Sequence, residues 1–212
     1  MSATPAPSPQ RSLRSSLIRQ VTLWHWMSSG VCLCGMLLFT VTGITLNHAA
    51  EIPAKPVVHS RRTVAPPVVL AAAGRTQGEG RHPLPPELSE WLKKEFGSAG
   101  EGVGEWSADE IYVSLPRPGG DAWVTVDRKT GETRYEKTDR GWIAYLNDLH
   151  KGRHTGFAWS LFIDMLAAAC LVFTITGLVL LQTHAARRPA TWPLVTFGML
   201  SPLLVLLLFV HR

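Results

Sequence analysis

The chain has 212 residues, of which 46% are hydrophobic, and a formal net charge of +5. Residues 51–150 hold 15 of the 16 acidic residues against 13 Lys and Arg residues, a local balance of −2. The excess positive charge therefore lies beside the apolar segments, which indicates topology signals and lipid headgroup contact and excludes nucleic-acid binding. Three stretches are too long and too apolar for a soluble core, so at most one small soluble domain remains.

The amino-terminal part of the chain predicts a tail followed by a retained membrane helix. Residues 1–20 combine Pro, Ser and Arg, as a disordered cytoplasmic tail does. Residues 21–48 form the first apolar run, which exceeds the apolar stretch of a cleavable signal and has no clean small-x-small cleavage site. Trp24 and Trp26 mark its entry into the membrane interface.

The middle of the chain predicts a tether and a small α+β domain. Residues 49–86 are rich in Pro and Gly without a sustained period, which favours a tether. Residues 87–150 begin with a short amphipathic helix that ends at Gly97. Alternating strands follow, with a turn at 127–131 and a final helical period. The residues that carry this pattern are Leu88, Trp91, Leu92 and Phe96 in the first helix, Ile111, Val113, Leu115, Trp123, Val124, Val126 and 133–137 in the strands, and Trp142, Ile143, Tyr145, Leu146 and Leu149 in the last helix.

The carboxyl-terminal part predicts two more membrane helices, at 155–183 and 192–210. Arg187 and Arg188 lie between them, and positive loops mark the inner side of a membrane. With the arginines of the tail, they place the amino terminus inside and residues 51–150 outside. The expected fold is thus an α-helical membrane protein with three spans and an extracytoplasmic α+β domain between spans one and two. In a Gram-negative-type cell this means the inner membrane, with the domain in the periplasm.

Three short segments resemble the PepSY-associated transmembrane family. They are the turn Val126-Asp-Arg-Lys-Thr-Gly-Glu132 after a strand, Leu149-His150 at the end of the next helix, and Asn47-His48 at the end of span one. The likeness covers roughly residues 20–185 and implies a PepSY-like domain. Some members of this family resemble di-haem reductases that carry electrons to periplasmic ferric siderophores. Others have no assigned activity, and the larger members have an additional helix.

Five of the eight histidines lie at or near the ends of spans one and two: His25, His48, His150, His154 and His184. His25 and His48 are 23 residues apart, or about 34 Å along a helix, so they cannot bind one cofactor together. An antiparallel span two places His184 near His25, and His150 and His154 near His48. Such facing pairs suit the axial positions of one or two b-type haems. Interfacial anchoring or helix capping is the alternative for each histidine.

A repeated pentapeptide accompanies these histidines. Phe39-Thr-Val-Thr-Gly43 in span one and Phe173-Thr-Ile-Thr-Gly177 in span two differ at one position and lie 134 residues apart. This pattern indicates a weak inverted repeat. Gly43 and Gly177 leave room either for a haem edge or for a neighbouring helix. His150 and His154 share a face if their helix is continuous, so that one can bind haem and the other a propionate or a metal chelate.

Two functions fit this sequence. One is an inner-membrane haem redox protein, in which a cytoplasmic reductant or a quinone supplies electrons to a periplasmic metal chelate or protein. The other is a non-enzymatic anchor whose periplasmic domain binds or regulates a partner protein through a free sheet edge. No motif assigns catalytic residues. Asp164 in span two is the one acidic residue outside 51–150, which makes it a candidate for a functional or a structural polar contact.

Overall fold

The structure is a computed structural model that describes residues 9–76 and 78–211. In chain order its helices and strands are α1 (Pro9–Asn47), β1 (Val57–Val64), α2 (Pro67–Gly74), β2 (Gly80–Pro83), α3 (Pro86–Phe96), β3 (Val103–Trp106), β4 (Glu110–Ser114), β5 (Gly120–Asp127), β6 (Glu132–Asp139), α4 (Trp142–Lys151), α5 (Phe157–His184) and α6 (Thr191–Val205). A 3₁₀ turn at Ala185–Arg187 follows α5, and a π-helical turn at Leu206–Val210 extends α6.

Three helices of the described chain, α1, α5 and α6, are long and apolar enough to cross a membrane. The helix α1 begins at Pro9, so the disorder predicted for residues 1–20 is wrong from that point on. Residues 1–8 lie outside the described residues. The reason is that Leu, Ile, Arg and Gln, which favour helix, dominate residues 10–20, whereas the disorder signal came mainly from the prolines before them.

One antiparallel sheet of six strands forms the centre of the soluble domain, in the order β1-β6-β5-β4-β3-β2. The inward faces of the strands and the apolar faces of α2 and α3 form one core. Alternation along β5 and β4 makes this possible, because every second side chain points to the same face. The core comprises Ala65, Val69, Ala73, Leu84, Leu88, Leu92, Ala99, Trp106, Ile111, Val113, Leu115, Ala122, Val124 and Val126.

The segment 49–86, predicted to be a tether, instead contains two strands and a helix. Its prolines lie mostly at the boundaries of these elements rather than inside them. Pro67 is the first residue of α2, Pro83 ends β2 and Pro86 is the first residue of α3. Proline is favoured at the first helical position, where its missing N–H costs no hydrogen bond. The ordered domain therefore begins with β1, and the connection from α1 is residues 48–56.

The turn between β5 and β6 has the predicted place. Oδ1 of Asp127 accepts the backbone N–H groups of Thr130 at 2.7 Å and Lys129 at 2.8 Å. These hydrogen bonds hold the pKa of Asp127 below its usual value because they favour the ionised carboxylate. Gly131 has φ +73°, a conformation that glycine adopts without strain.

The last helix of the domain, α4, ends between His150 and His154. It stops at Lys151, and Gly152 follows in the left-handed conformation. His154 lies beyond this break with φ +57°. The helix therefore ends where Leu149-His150 was expected to close it, and the condition under which His150 and His154 would share a face is not met, because Gly152 provides a left-handed end to the helix. The buried Asp148 joins α4 to the residue that precedes β5, because its Oδ2 accepts a hydrogen bond from the N–H of Gly119 at 2.9 Å.

The chain divides into two compact units. The second is Leu38–Leu161, and the first consists of the remaining described residues. The second unit holds the soluble domain together with the end of α1 and the beginning of α5. The first unit holds the rest of α1 and α5 and the whole of α6.

Candidate functional site

In the first unit, the pentapeptide of α5 holds an imidazole. Phe173, Thr176 and Gly177 are spaced by three and four residues, which puts them on one face of the helix. The ring of His25 stacks on Phe173, with centroids 4.6 Å apart and an interplanar angle of 15°. A Cβ on Gly177 would lie 3.2 Å from Cε1 of His25, so the glycine makes room for the imidazole. We call Phe173, Thr176 and Gly177 the α5 cradle.

The hydrogen bonds of the α5 cradle select one tautomer of His25. Nδ1 of His25 lies 3.0 Å from Oγ1 of Thr176 and 3.2 Å from the carbonyl oxygen of Phe173. The Thr176 hydroxyl donates its own hydrogen to the carbonyls of Val172 and Phe173, so it accepts from the imidazole. Because both partners accept, Nδ1 carries the hydrogen. Nε2 is then left with its lone pair, which is the form that binds a metal.

The pentapeptide of α1 makes the same kind of site in the second unit, where Phe39, Thr42 and Gly43 form the α1 cradle. The imidazole there is His150 of α4, at 5.1 Å from the Phe39 ring centroid with an interplanar angle of 48°. Oγ1 of Thr42 lies 2.7 Å from Nδ1 of His150, and a Cβ on Gly43 would lie 3.4 Å from Cε1. The Thr42 hydroxyl donates to the carbonyl of Leu38 at 2.9 Å, so Nδ1 of His150 is again the donor.

The two imidazoles differ in the space beside them. A cavity of about 620 Å³ adjoins His25, and its lining is mainly apolar. The gap at His150 has a volume of only about 10 Å³. Ligand pockets in proteins commonly measure roughly 300–1,000 Å³, so the cavity beside His25 has room for a ligand and the gap beside His150 does not. The large cavity is lined by His25, Phe173, Thr174, Gly177, Leu178, Leu180, Leu181, His184, Arg188 and Thr191.

His184, at the end of α5, lines the same cavity as His25. Its Nδ1 lies 2.8 Å from the carbonyl oxygen of Leu180 and 2.9 Å from Oγ1 of Thr183. Since a carbonyl only accepts, the hydrogen of a neutral His184 lies on Nδ1 as well. The structure thus brings His25 and His184 to one cavity, each with Nδ1 bound to a protein oxygen.

The three histidines predicted to lie together at the outer ends of the spans, His48, His150 and His154, have different contacts. His48 is exposed and its Nδ1 lies 3.1 Å from Oε2 of Glu51. His154 is exposed in the loop after α4, and His150 occupies the α1 cradle. Within residues 9–76 and 78–211, no three His, Cys, Asp or Glu side chains cluster so as to hold a metal ion. Asp164 is exposed on α5.

Several residues of these sites were not singled out by sequence reasoning. The repeat and its glycines were recognised from the sequence. The contacts that Phe39, Thr42, Phe173 and Thr176 make with an imidazole were not predicted. The available signal was the spacing Phe-x-x-Thr-Gly, because these three positions share a helix face while the first threonine of the motif does not. Arg188 was taken as a topology signal alone, although it also lines the cavity.

Fold and site together define a helical membrane protein with three spans, a small antiparallel α+β domain and two imidazole-holding sites. The family described as Putative PepSY_TM-like matches residues 16–211. The chain belongs to this family, which agrees with the resemblance seen in its turn and helix ends. No curated protein and no solved structure matches the chain.

Proposed function

We propose that this protein is a b-type haem protein of the membrane, in which His25 and His184 would hold one haem in the cavity of the first unit. A haem bound there would supply one-electron redox chemistry. The observation that carries the proposal is that two imidazoles from different helices line one apolar cavity of about 620 Å³. The protein would pass electrons from a cytoplasmic reductant or a quinone to an extracytoplasmic acceptor, such as a ferric siderophore or another metal chelate.

The hydrogen bonds of both histidines support this assignment. Histidines that bind metals usually donate their other ring N–H to a carbonyl, a carboxylate or water, which fixes the tautomer and the ring orientation. Nδ1 of His25 has Thr176 and Phe173 as such partners, and Nδ1 of His184 has Leu180. Each residue thereby keeps Nε2 for coordination.

The shape of the cavity supports the assignment too. Gly177 lies against His25 without a side chain that would press on the imidazole. Leucines and Phe173 supply apolar walls, which a macrocycle needs because its faces are poorly solvated in water. The chain's own residues would therefore bind the group against an apolar surface and orient it through His25 and His184.

The number of haems that we propose is one. The gap of about 10 Å³ beside His150 does not fit a macrocycle, and His48 pairs with Glu51. The expected outer ligands His48, His150 and His154 therefore have no part in the proposal. We place the cavity on the cytoplasmic side and residues 51–150 on the periplasmic side of a bacterial inner membrane, because arginines flank the cavity end of the helices.

The test is haem quantification in protein purified in detergent from haem-sufficient cells. We expect about one haem per chain and a reduced-minus-oxidised spectrum of two axial imidazoles. Replacing His184→Ala should convert this spectrum to that of a haem with one imidazole, whereas the control His48→Ala should leave it unchanged. Absence of haem from the wild-type protein, or equal spectra for both variants, would overturn the proposal.

A second candidate function is a membrane anchor that binds a partner protein. The observation that favours it is strand β1, which lies at the end of the sheet and pairs only with β6 among the described strands. Its eight residues are nearly all exposed, so its other edge can accept an extended segment of a partner. The same purification distinguishes the two functions, since an anchor copurifies with a protein partner and carries no haem.

A further inference from the structure

We infer that Arg188 makes the cavity beside His25 selective for a ligand that carries a carboxylate. The inference rests on the proposed function and deepens it, because it concerns how the same cavity recognises its ligand. Arg188 lines the cavity together with the two histidines and Thr191. The remaining lining is mostly Leu and Phe, so the guanidinium is the one side chain of the lining that is charged at every physiological pH.

The backbone around Arg188 is held in place rather than loose. The N–H of Thr191 donates to the carbonyl of Arg188 at 3.0 Å, and the Thr191 hydroxyl donates to the same oxygen at 2.8 Å. The N–H of Arg188 donates to the carbonyl of Ala185 at 3.0 Å. These bonds close the turn between α5 and α6 and hold the backbone from which the Arg188 side chain reaches the lining of the cavity.

Within the described chain, no carboxylate forms an ion pair with Arg188. Asp164 is the one acidic residue outside 51–150, and it lies 20 residues before His184, the last residue of α5, about 30 Å along that helix. Among the described residues, Arg188 is thus left to pair with an anion that a bound ligand or a lipid supplies. A guanidinium presents parallel N–H donors that match the two oxygens of a carboxylate.

A bound ligand would thus place its flat apolar part between the leucines and its acidic edge at Arg188. A quinone is apolar and flat but has no carboxylate, so this arrangement favours a haem over a quinone as the occupant. A phosphate of an anionic lipid offers the same chemistry to Arg188 and has to be distinguished by experiment. The adjacent Arg187 provides a matched control, because it has the same charge and loop but does not line the cavity.

The experiment is a titration of the haem-depleted protein in zwitterionic nanodiscs with haem and with its dimethyl ester, in which both carboxylates are blocked. Charged hydrogen bonds of this kind give about a tenfold to hundredfold preference, so we expect the wild type to prefer haem by that factor. Arg188→Gln should bring the two affinities to within about threefold of each other, whereas Arg187→Gln should keep the preference.

Each outcome decides the inference. Equal binding of haem and ester to the wild type would overturn the role of Arg188 while leaving haem binding intact. Binding of neither would overturn the proposed function and this inference with it. A preference that is lost equally in both variants assigns the effect to overall charge. A preference that disappears in nanodiscs with phosphatidylglycerol assigns Arg188 to lipid phosphate, and both results contradict the inference.

Discussion

Phe39, Thr42 and Gly43 make with His150 the same contacts that Phe173, Thr176 and Gly177 make with His25. In each cradle an aromatic ring lies beside the imidazole, a threonine hydroxyl accepts from Nδ1, and a glycine lies beside Cε1. What differs is the surrounding space, about 620 Å³ in one case and about 10 Å³ in the other.

The source of the imidazole differs as well. His25 comes from the long apolar helix α1, whereas His150 comes from α4, the short last helix of the soluble domain. The residue 134 positions after His25 is Trp159, so α5 has no histidine at the place that the repeat would predict. Trp159 lines the small gap next to His150. The pentapeptide therefore determines how an imidazole is held, while the residues around it determine whether the imidazole has open space beside it.

Replacing the two histidines should have the largest effects, and the effects should differ: one change should affect haem binding and the other should affect stability. His25→Ala should lower haem affinity by more than about 100-fold, since loss of a metal ligand's hydrogen-bond partner alone costs about 10–100-fold. His150→Ala should keep haem and lower the free energy of unfolding by about 1–3 kcal/mol, through the lost hydrogen bond and packing. Haem titration and denaturant unfolding of both variants measure these effects. Equal loss of haem in the two variants contradicts the distinction.

Removing the threonine hydroxyls should change haem affinity and stability less than removing the histidines. Thr176→Val removes the nearer of the two acceptors of His25 and leaves the Phe173 carbonyl, with little change in volume, and we expect about 10-fold weaker haem binding and an altered midpoint potential. Thr176→Ser keeps the hydroxyl and should restore both. Thr42→Val should change neither and should cost about 1 kcal/mol of stability instead. Redox titration followed by optical spectra provides the measurement, and a potential unaffected by Thr176→Val would refute the positioning role.

The glycines should have the smallest effect. A Cβ on Gly177 would approach Cε1 of His25 to 3.2 Å, whereas one on Gly43 would lie 3.4 Å from Cε1 of His150. We expect Gly177→Ala to displace the imidazole by tenths of an ångström and to weaken haem binding by about threefold to tenfold, on the order of 1 kcal/mol. Gly43→Ala should stay within about twofold of the wild type in haem affinity. Titration of the two proteins side by side decides whether the closer contact matters.

The sequence predicted the elements whose signal is local. Apolar length was enough for the three spans, and the face formed by Leu88, Leu92 and Phe96 was enough for α3. The hydrogen-bonding side chain of Asp127 and the flexibility of Gly131 were enough for the turn between β5 and β6. Each of these features depends on residues that are neighbours in the chain.

Other features depended on contacts that the sequence does not encode locally. Strand β1 is exposed on both faces along most of its length, so it shows none of the alternation by which a half-buried strand is recognised. For the site, helix direction predicted that His184 lies near His25, and both residues line one cavity. The position of His150 could not be predicted, because it depends on a contact with Thr42 of α1, 108 residues earlier in the chain.

The short links at both ends of the soluble domain limit where it can act. Residues 48–56 join α1 to β1, and residues 152–156 join α4 to α5. Nine residues span at most about 32 Å even when fully extended, and five span about 17 Å. The sheet therefore begins close to the end of α1, and α5 begins close to the end of α4. A partner that binds this domain has to be of a size that fits beside the ends of those two helices.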